Sequence, residues 1–233
     1  MTAKAAIKSK YLMSGKLLQN GFSQECRTAS WAIHGGGIKT ADGVAWMQVC
    51  NDDIRPPVDP RHLLQQTLED HQLHRHVGLM TSAMIANATH VEQSFGPLHV
   101  SCTATVGLGN SMRAGDNPSP SGRIGTINMA IESNVAMSDE ALLEGLALMT
   151  EAKTVAMMEA RIKSYLTGAW ASGTGTDCAV IAAPVRGHQE VYCGKHTKLG
   201  HLIGHCTYEA VRQGIDIWKG NNPGHKLLGS EHG

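Results

Sequence analysis

The sequence predicts a single α+β domain, a mixed or largely antiparallel β-sheet with long helices packed on it. Three observations point there. From about Cys26 onward, strand-like apolar runs arrive in adjacent pairs, each pair followed by a helical segment; this strand-strand-helix rhythm differs from the strict alternation of a doubly wound parallel sheet. The chain has 233 residues, a length that buries roughly 70% of the unfolded surface in one domain. Hydrophobic residues make up 42% of it and aromatic ones only 4%, so the core must be built from aliphatic side chains and the 11 Met, while the 26 Gly lie among apolar runs as turn formers.

Residues 1–25 read as a polar N-terminal segment, 26–216 as the domain and 217–233 as a weakly ordered tail. The runs CRTASWAIH and GVAWMQVCN form the first strand pair, with a turn expected around Asp42 and Gly43. The Pro-rich break RPPVDP follows, and Asp59 caps the helix RHLLQQTLEDHQL with Pro60 in its first turn. VGLMTSAMI is the next strand. LHVSCTATVGLGN and RIGTINMAIESN form another pair around the loop AGDNPSPSG. Ser138 is a good N-cap for a long helix expected to reach about Leu166. TDCAVIAAPV and EVYCG read as a hairpin around Arg186 and Gly187. Thr197 caps a last helix on which Leu199, Leu202, Ile203, Cys206 and Ala210 follow helical spacing.

Composition excludes some classes of function. Twenty basic side chains balance twenty acidic ones, so no global field draws nucleic acid or an anionic membrane, and a neutral or zwitterionic small molecule fits better. The six cysteines form no C-x-x-C pair and read as buried free thiols. No run approaches the ~18 apolar residues of a membrane span and the N-terminus has no apolar signal core, so the expectation is a soluble, cytoplasmic protein. Among the 13 His, the cluster HQLHRH at 71–76 sits where a helix ends, a position that suits cationic side chains. His201 and His205 have metal-ligand spacing but no H-E-x-x-H accompanies them, so no metal site is assigned.

The candidate chemistry lies elsewhere. In SGTGTDCAVIAA, at 172–183, glycines and threonines precede Asp177 and a wholly apolar strand; such a loop is either a turn or a bend where a ligand approaches the backbone closely. It precedes a strand and is not G-x-G-x-x-G, which argues against a dinucleotide or phosphate cradle. The helix SDEALLEGLALMTEAKTVAMMEARIK is apolar on nearly every side and reads as buried. Glu151 and Lys153 in its middle lie about 200° apart and so have separate partners. A buried Glu151 is either part of a structural ion pair or a general base or acid at a pocket wall. Thr81, Asn110, Asp116, Thr126, Asn128, Thr174, Thr176 and Asp177 punctuate strands or sit at their ends; gathered together, they would hold an amide carbonyl and stabilise an oxyanion. His196 stands beside the N-terminus of the last helix as a ligand-facing corner or a cap.

The succession VGLMTSAMI, ATVGLGNSMRAGD, GTINMAI, MTEAKTVAM, SGTGTDCAVIA and CGKHTKLG resembles the adenosylcobinamide amidohydrolase family, CbiZ, in order from about Ala29 to Val211. The resemblance implies hydrolysis of the amide that joins the corrin ring's propionyl side chain to aminopropanol, giving adenosylcobyric acid in cobamide salvage. It implies a corrinoid substrate and no other cofactor, with metal dependence open, and is compatible with a homo-oligomer. On the matching positions, Glu151 is expected as base or acid, Asp177 as its orienting partner, and Asn128 or Asn110 as the group polarising the carbonyl. Thr176 or Thr174 stands as a candidate nucleophile, with Lys153 supplying positive charge. Asp116, Thr126, His196 and Thr81 complete the expected substrate contacts. SWAIHGGG, with His34 before three glycines, departs from the family pattern. A corrinoid carrier without hydrolysis, or an amidohydrolase of another amide, are the alternatives.

Overall fold

A computed structural model describes residues 10–118 and 124–223. Strand β1 (Lys10–Ser14) pairs antiparallel with β2 (Leu17–Ser30), and β2 with β3 (Gly37–Gln48). Helix α1 (Pro60–Asp70) leads to β4 (His76–Thr81), then β5 (Thr89–Phe95) and β6 (Leu98–Val106). The short β7 (Ser111–Met112), β8 (Ile127–Ser133) and β9 (Ala136–Met137) precede helix α2 (Asp139–Glu159). The chain continues through β10 (Gly173–Thr174), β11 (Cys178–Pro184) and β12 (Gln189–Glu190) into helix α3 (Lys198–Asn221).

The large sheet runs β4-β3-β2-β11-β8-β6-β5. The β3–β4 and β8–β11 pairs are parallel and the other pairs antiparallel, so the expected α+β architecture with a mixed sheet is what forms. Helices α2 and α3 cover one face, where Met149, Met157, Leu202, Ile203 and Cys206 meet Cys102, Ile131 and Ile181. Gly145 lets α2 approach, because a Cβ there would collide with the Ile181 side chain. Leu64 and Leu68 of α1 pack on Ala45 and Leu17 at the other end of the sheet.

The sheet also bends back on itself. Asn128 at the start of β8 donates its amide to the Met80 carbonyl on β4 at 2.7 Å. These strands are four places apart in the sheet, about 19 Å if it were flat at ~4.8 Å per strand. The register shift in β2 between Gly21 and Cys26 supplies the bend. Inside the curl, Val44, Trp46, Val77 and Leu79 pack against Ala130, Cys178 and Val180.

Several boundaries differ from the sequence reading for identifiable reasons. The sheet begins before Cys26, because Leu17, Leu18 and Asn20 are buried on β2, and α3 continues past 216 to Asn221; residues 1–9 and 224–233 lie outside the described residues. Asp42 and Gly43 are not a turn. They lie within β3 opposite the register shift, where a Cβ on Gly43 would press on the His76 ring at 2.6 Å, and the chain reverses instead around Gly35 and Gly37, both at positive φ. Helix α2 ends at Glu159 rather than near Leu166: Arg161 takes φ 56, its N–H and that of Ile162 close on Met158 and Met157, and the fully buried Ile162 prolongs the apolar periodicity beyond the helix. The expected hairpin around Gly187 does not form, since β12 pairs parallel with β9 and the Cys193 N–H is taken by the Glu144 carboxylate. Ser138 and Thr197 cap α2 and α3, accepting from Ala141 and Gly200, and Asp59 caps α1, accepting from Arg61, as their positions predict. The six cysteines are free, five of them buried. No helix among the described residues is long and apolar enough to cross a membrane.

Candidate functional site

The bend at 173–177 is organised by a buried ion pair. Lys153 projects from α2 to place Nζ 2.5 Å from Asp177 Oδ2, and the two side chains are only 8% and 9% exposed. Oδ2 also accepts from the Thr174 N–H at 3.0 Å, while Oδ1 accepts from the Ile127 N–H at 3.0 Å and from the Thr174 hydroxyl. Four donors fill the lone-pair sites of one carboxylate. Asp177 therefore joins helix α2, the bend and the start of β8, with no acceptor site left over for a substrate proton.

Two glycines of this stretch make room for neighbouring side chains, Gly173 for that pair. A Cβ on Gly173 would collide with Asp177 Oδ2 and come within 2.5 Å of Lys153 Nζ. One on Gly175 would meet Asn110 Nδ2 at 2.7 Å. Side-chain groups press directly on the backbone at both positions, so both need the smallest residue.

Beside the bend opens a cavity of about 920 Å³, formed where the curled sheet brings β4, the end of β2 and the starts of β8 and β11 together. Six of the expected site residues line it: Thr81, Asn110, Thr126, Asn128, Thr176 and Asp177. Their hydrogen bonds separate fixed groups from available ones. The Thr126 hydroxyl donates to the Thr176 carbonyl at 2.8 Å, and the Thr176 hydroxyl donates to the Gly125 carbonyl at 3.0 Å. Since its proton rests on a backbone carbonyl and not on a base, Thr176 is not poised as a nucleophile. Thr81 Oγ1 accepts from the Ala83 N–H and the Thr105 hydroxyl, which leaves its own proton without an acceptor among the described residues. Asn128 uses one amide proton on Met80 and has a second to offer.

Other expectations are corrected by the geometry. Glu151 does not reach the cavity. Although α2 looks apolar all round, one face stays open, with Leu143 56% and Val155 46% exposed, and Glu151 lies on that side paired with Lys195. Asp116 is bound up in its own loop: it accepts from Ser164 at 2.5 Å, from the Thr167 hydroxyl at 3.1 Å and from the Arg113 N–H at 2.9 Å, and these bonds, the Ser164 one foremost, hold its pKa below the ordinary carboxylate value. His196 is exposed near Gly194 and Glu144, away from the cavity. Lys153 and Thr174 support the wall from behind through Asp177 without lining it. His34 meets the edge strand β4 through its backbone, accepting from the Gly78 N–H.

Trp31, Ile33, Ser82 and Cys178 line the cavity and are missing from the sequence reading. Burial raises the Cys178 thiol to about 11, so it stands as a thiol at neutral pH. The only available signal for Trp31 was a tryptophan beside a triple glycine in an aromatic-poor chain. Among the described residues, no group of three or more His, Cys, Asp or Glu side chains is arranged to hold a metal ion.

Three relatives are similar to this chain over part of its length. The MJ1613 protein of Methanocaldococcus jannaschii, itself uncharacterized, is 29% identical over 157 residues, which cover 59% of this chain and 61% of that protein. An adenosylcobinamide amidohydrolase of Methanosarcina mazei is 24% identical over 173 residues, 70% of this chain and 78% of its own length. Another, of Halobacterium salinarum, is 32% identical over 92 residues, 40% and 36% of the two chains. The alignment thus spans about three fifths of the first relative and about a third of the last. The family described as adenosylcobinamide amidohydrolase, CbiZ, matches residues 2–223, nearly the whole sequence. The chain belongs to the adenosylcobinamide amidohydrolase family.

Proposed function

We propose that the protein hydrolyses adenosylcobinamide at the amide between the corrin propionyl side chain and aminopropanol, within the cavity beside the 173–177 bend, as a step of cobamide salvage in the cytoplasm. The observation that carries this reading is convergence: Asn110, Thr126 with Asn128, and Thr176 with Asp177 come from three separate stretches within the matched residues 2–223 and line one cavity. Amide hydrolysis adds water to the carbonyl carbon, breaks the C–N bond and delivers a proton to the departing amine. The described wall supplies the electrophilic half of this chemistry. The free protons of Asn128 and Thr81 are aimed by fixed hydrogen bonds and polarise the carbonyl as charge develops on its oxygen. Asp177, saturated by four donors, positions the wall. A corrinoid exceeds the volume of the cavity, so the cavity takes the amide arm while the ring rests at its mouth.

The test is release of aminopropanol and adenosylcobyric acid from adenosylcobinamide by the purified protein. Asn128→Ala is expected to lower kcat roughly 100-fold, the usual cost of one oxyanion donor, with the far-UV circular dichroism unchanged. Glu151→Gln is expected to stay within about twofold of wild type, because Glu151 faces Lys195 at the surface. Tight corrinoid binding without release of aminopropanol would replace the hydrolase reading by that of a carrier.

A further inference from the structure

Among the described residues that line the cavity, Trp31 is the one aromatic side chain. The other three tryptophans are occupied: Trp46 is fully buried, Trp170 has the Lys163 ammonium 3.2 Å from its ring centroid, and Trp218 packs on the main core. Trp31 is 50% exposed, yet its ring is held in place, since Nε1 donates to the Asp177 carbonyl oxygen at 2.8 Å. That bond ties the indole edge to the residue whose side chain anchors the bend. Ile33 and Ile124, 39% and 42% exposed, line the same cavity and add apolar surface to it. A large ring fixed at its polar edge and open elsewhere is pre-organised to receive a flat partner at little further entropic cost.

We propose that Trp31 is a specificity-determining residue of this site, a platform on which a flat conjugated face of the ligand stacks so that the amide arm reaches Asn128 and Thr81. The inference rests on the function proposed above. Adenosylcobinamide carries two faces of that chemistry, the conjugated system of the corrin ring and the adenine of the upper ligand.

The test compares wild type, Trp31→Ala and Trp31→Phe in steady-state release of aminopropanol, with adenosylcobinamide and with a cobinamide bearing a small upper ligand such as cyanide. Trp31→Ala is expected to raise KM roughly tenfold, in line with loss of one stacked ring, with kcat changed by less than about threefold. Trp31→Phe keeps an aromatic face without the N–H and is expected to keep most of the affinity. A rise in KM with both substrates identifies the corrin face as the partner, and a rise confined to the adenosylated one identifies adenine. An unchanged KM for Trp31→Ala, or a Trp31→Phe protein as impaired as Trp31→Ala, overturns the platform. Where wild type itself releases no aminopropanol, the hydrolase reading has failed, and the platform is then read separately: equilibrium dialysis of adenosylcobinamide must show about tenfold weaker binding to Trp31→Ala, and equal binding overturns it.

Discussion

Replacing Asp177 by Asn is expected to lower the stability of this protein by about 3–5 kcal/mol and to reduce turnover roughly 100-fold. The reason is the buried ammonium. The Lys153 side chain is 8% exposed, and it is paired with the Asp177 carboxylate. An asparagine has the same shape, yet either orientation of its amide turns an NH₂ group toward two donors: Lys153 Nζ and the Thr174 N–H in one, the Ile127 N–H and the Thr174 hydroxyl in the other. The cation then lies in a poorly solvated place with no counter-charge. At about 2–4 °C per kcal/mol for a chain of this size, the melting temperature falls by roughly 6–20 °C.

The partner substitution should be milder. In Lys153→Met the carboxylate keeps three donors, so less is left uncompensated. Combining Lys153→Met with Asp177→Asn removes both charges and is expected to recover most of the stability lost by Asp177→Asn alone. Activity should not return with it, because the bend still lacks the group that ties it to β8. Thermal unfolding followed by circular dichroism, beside aminopropanol release, reads both effects. An Asp177→Asn protein that melts with wild type, or a double variant less stable than it, would refute this account of the pair.

How far the sequence could reveal this arrangement depends on what each signal reports. The α+β class was legible because apolar periodicity is a local property, and the apolar runs Val44–Trp46, Val77–Leu79 and Ile127–Ile131 are strands of the sheet. Caps at Asp59, Ser138 and Thr197 were legible for the same reason, since each acts within three residues. Asp177 and Asn128, singled out through the motifs that carry the family likeness, both line the cavity. Glu151 was misplaced because periodicity describes how apolar a helix face is, not whether another element covers it: Leu143 and Val155 look like core residues and face outward. Lys153 was expected to touch substrate, and its true partner is 24 residues away. The Asp42–Gly43 turn failed in a similar manner, as a dipeptide with strong turn preference sits in a strand whose neighbour carries the register shift. The curl that brings Met80 to Asn128 left no local trace at all.

Substituting Gly173 by Ala should have an effect of similar size from a single methyl group. The backbone there is not in the left-handed region, so alanine is conformationally acceptable and would ordinarily stabilise by about 0.4–1 kcal/mol through the unfolded chain. Here the added Cβ lands on Asp177 Oδ2 and 2.5 Å from Lys153 Nζ. The pair cannot yield by rotating into solvent, since both side chains are buried. Either the ion pair opens or the bend lifts away from α2. The expected outcome is a loss of about 3 kcal/mol or more together with turnover close to that of Asp177→Asn. A double-mutant cycle decides the cause: in a Lys153→Ala background one of the two collisions is gone, so Gly173→Ala should cost at least 1 kcal/mol less than in wild type. Equal costs in the two backgrounds would show that the glycine is required for some reason other than the ion pair pressed against it.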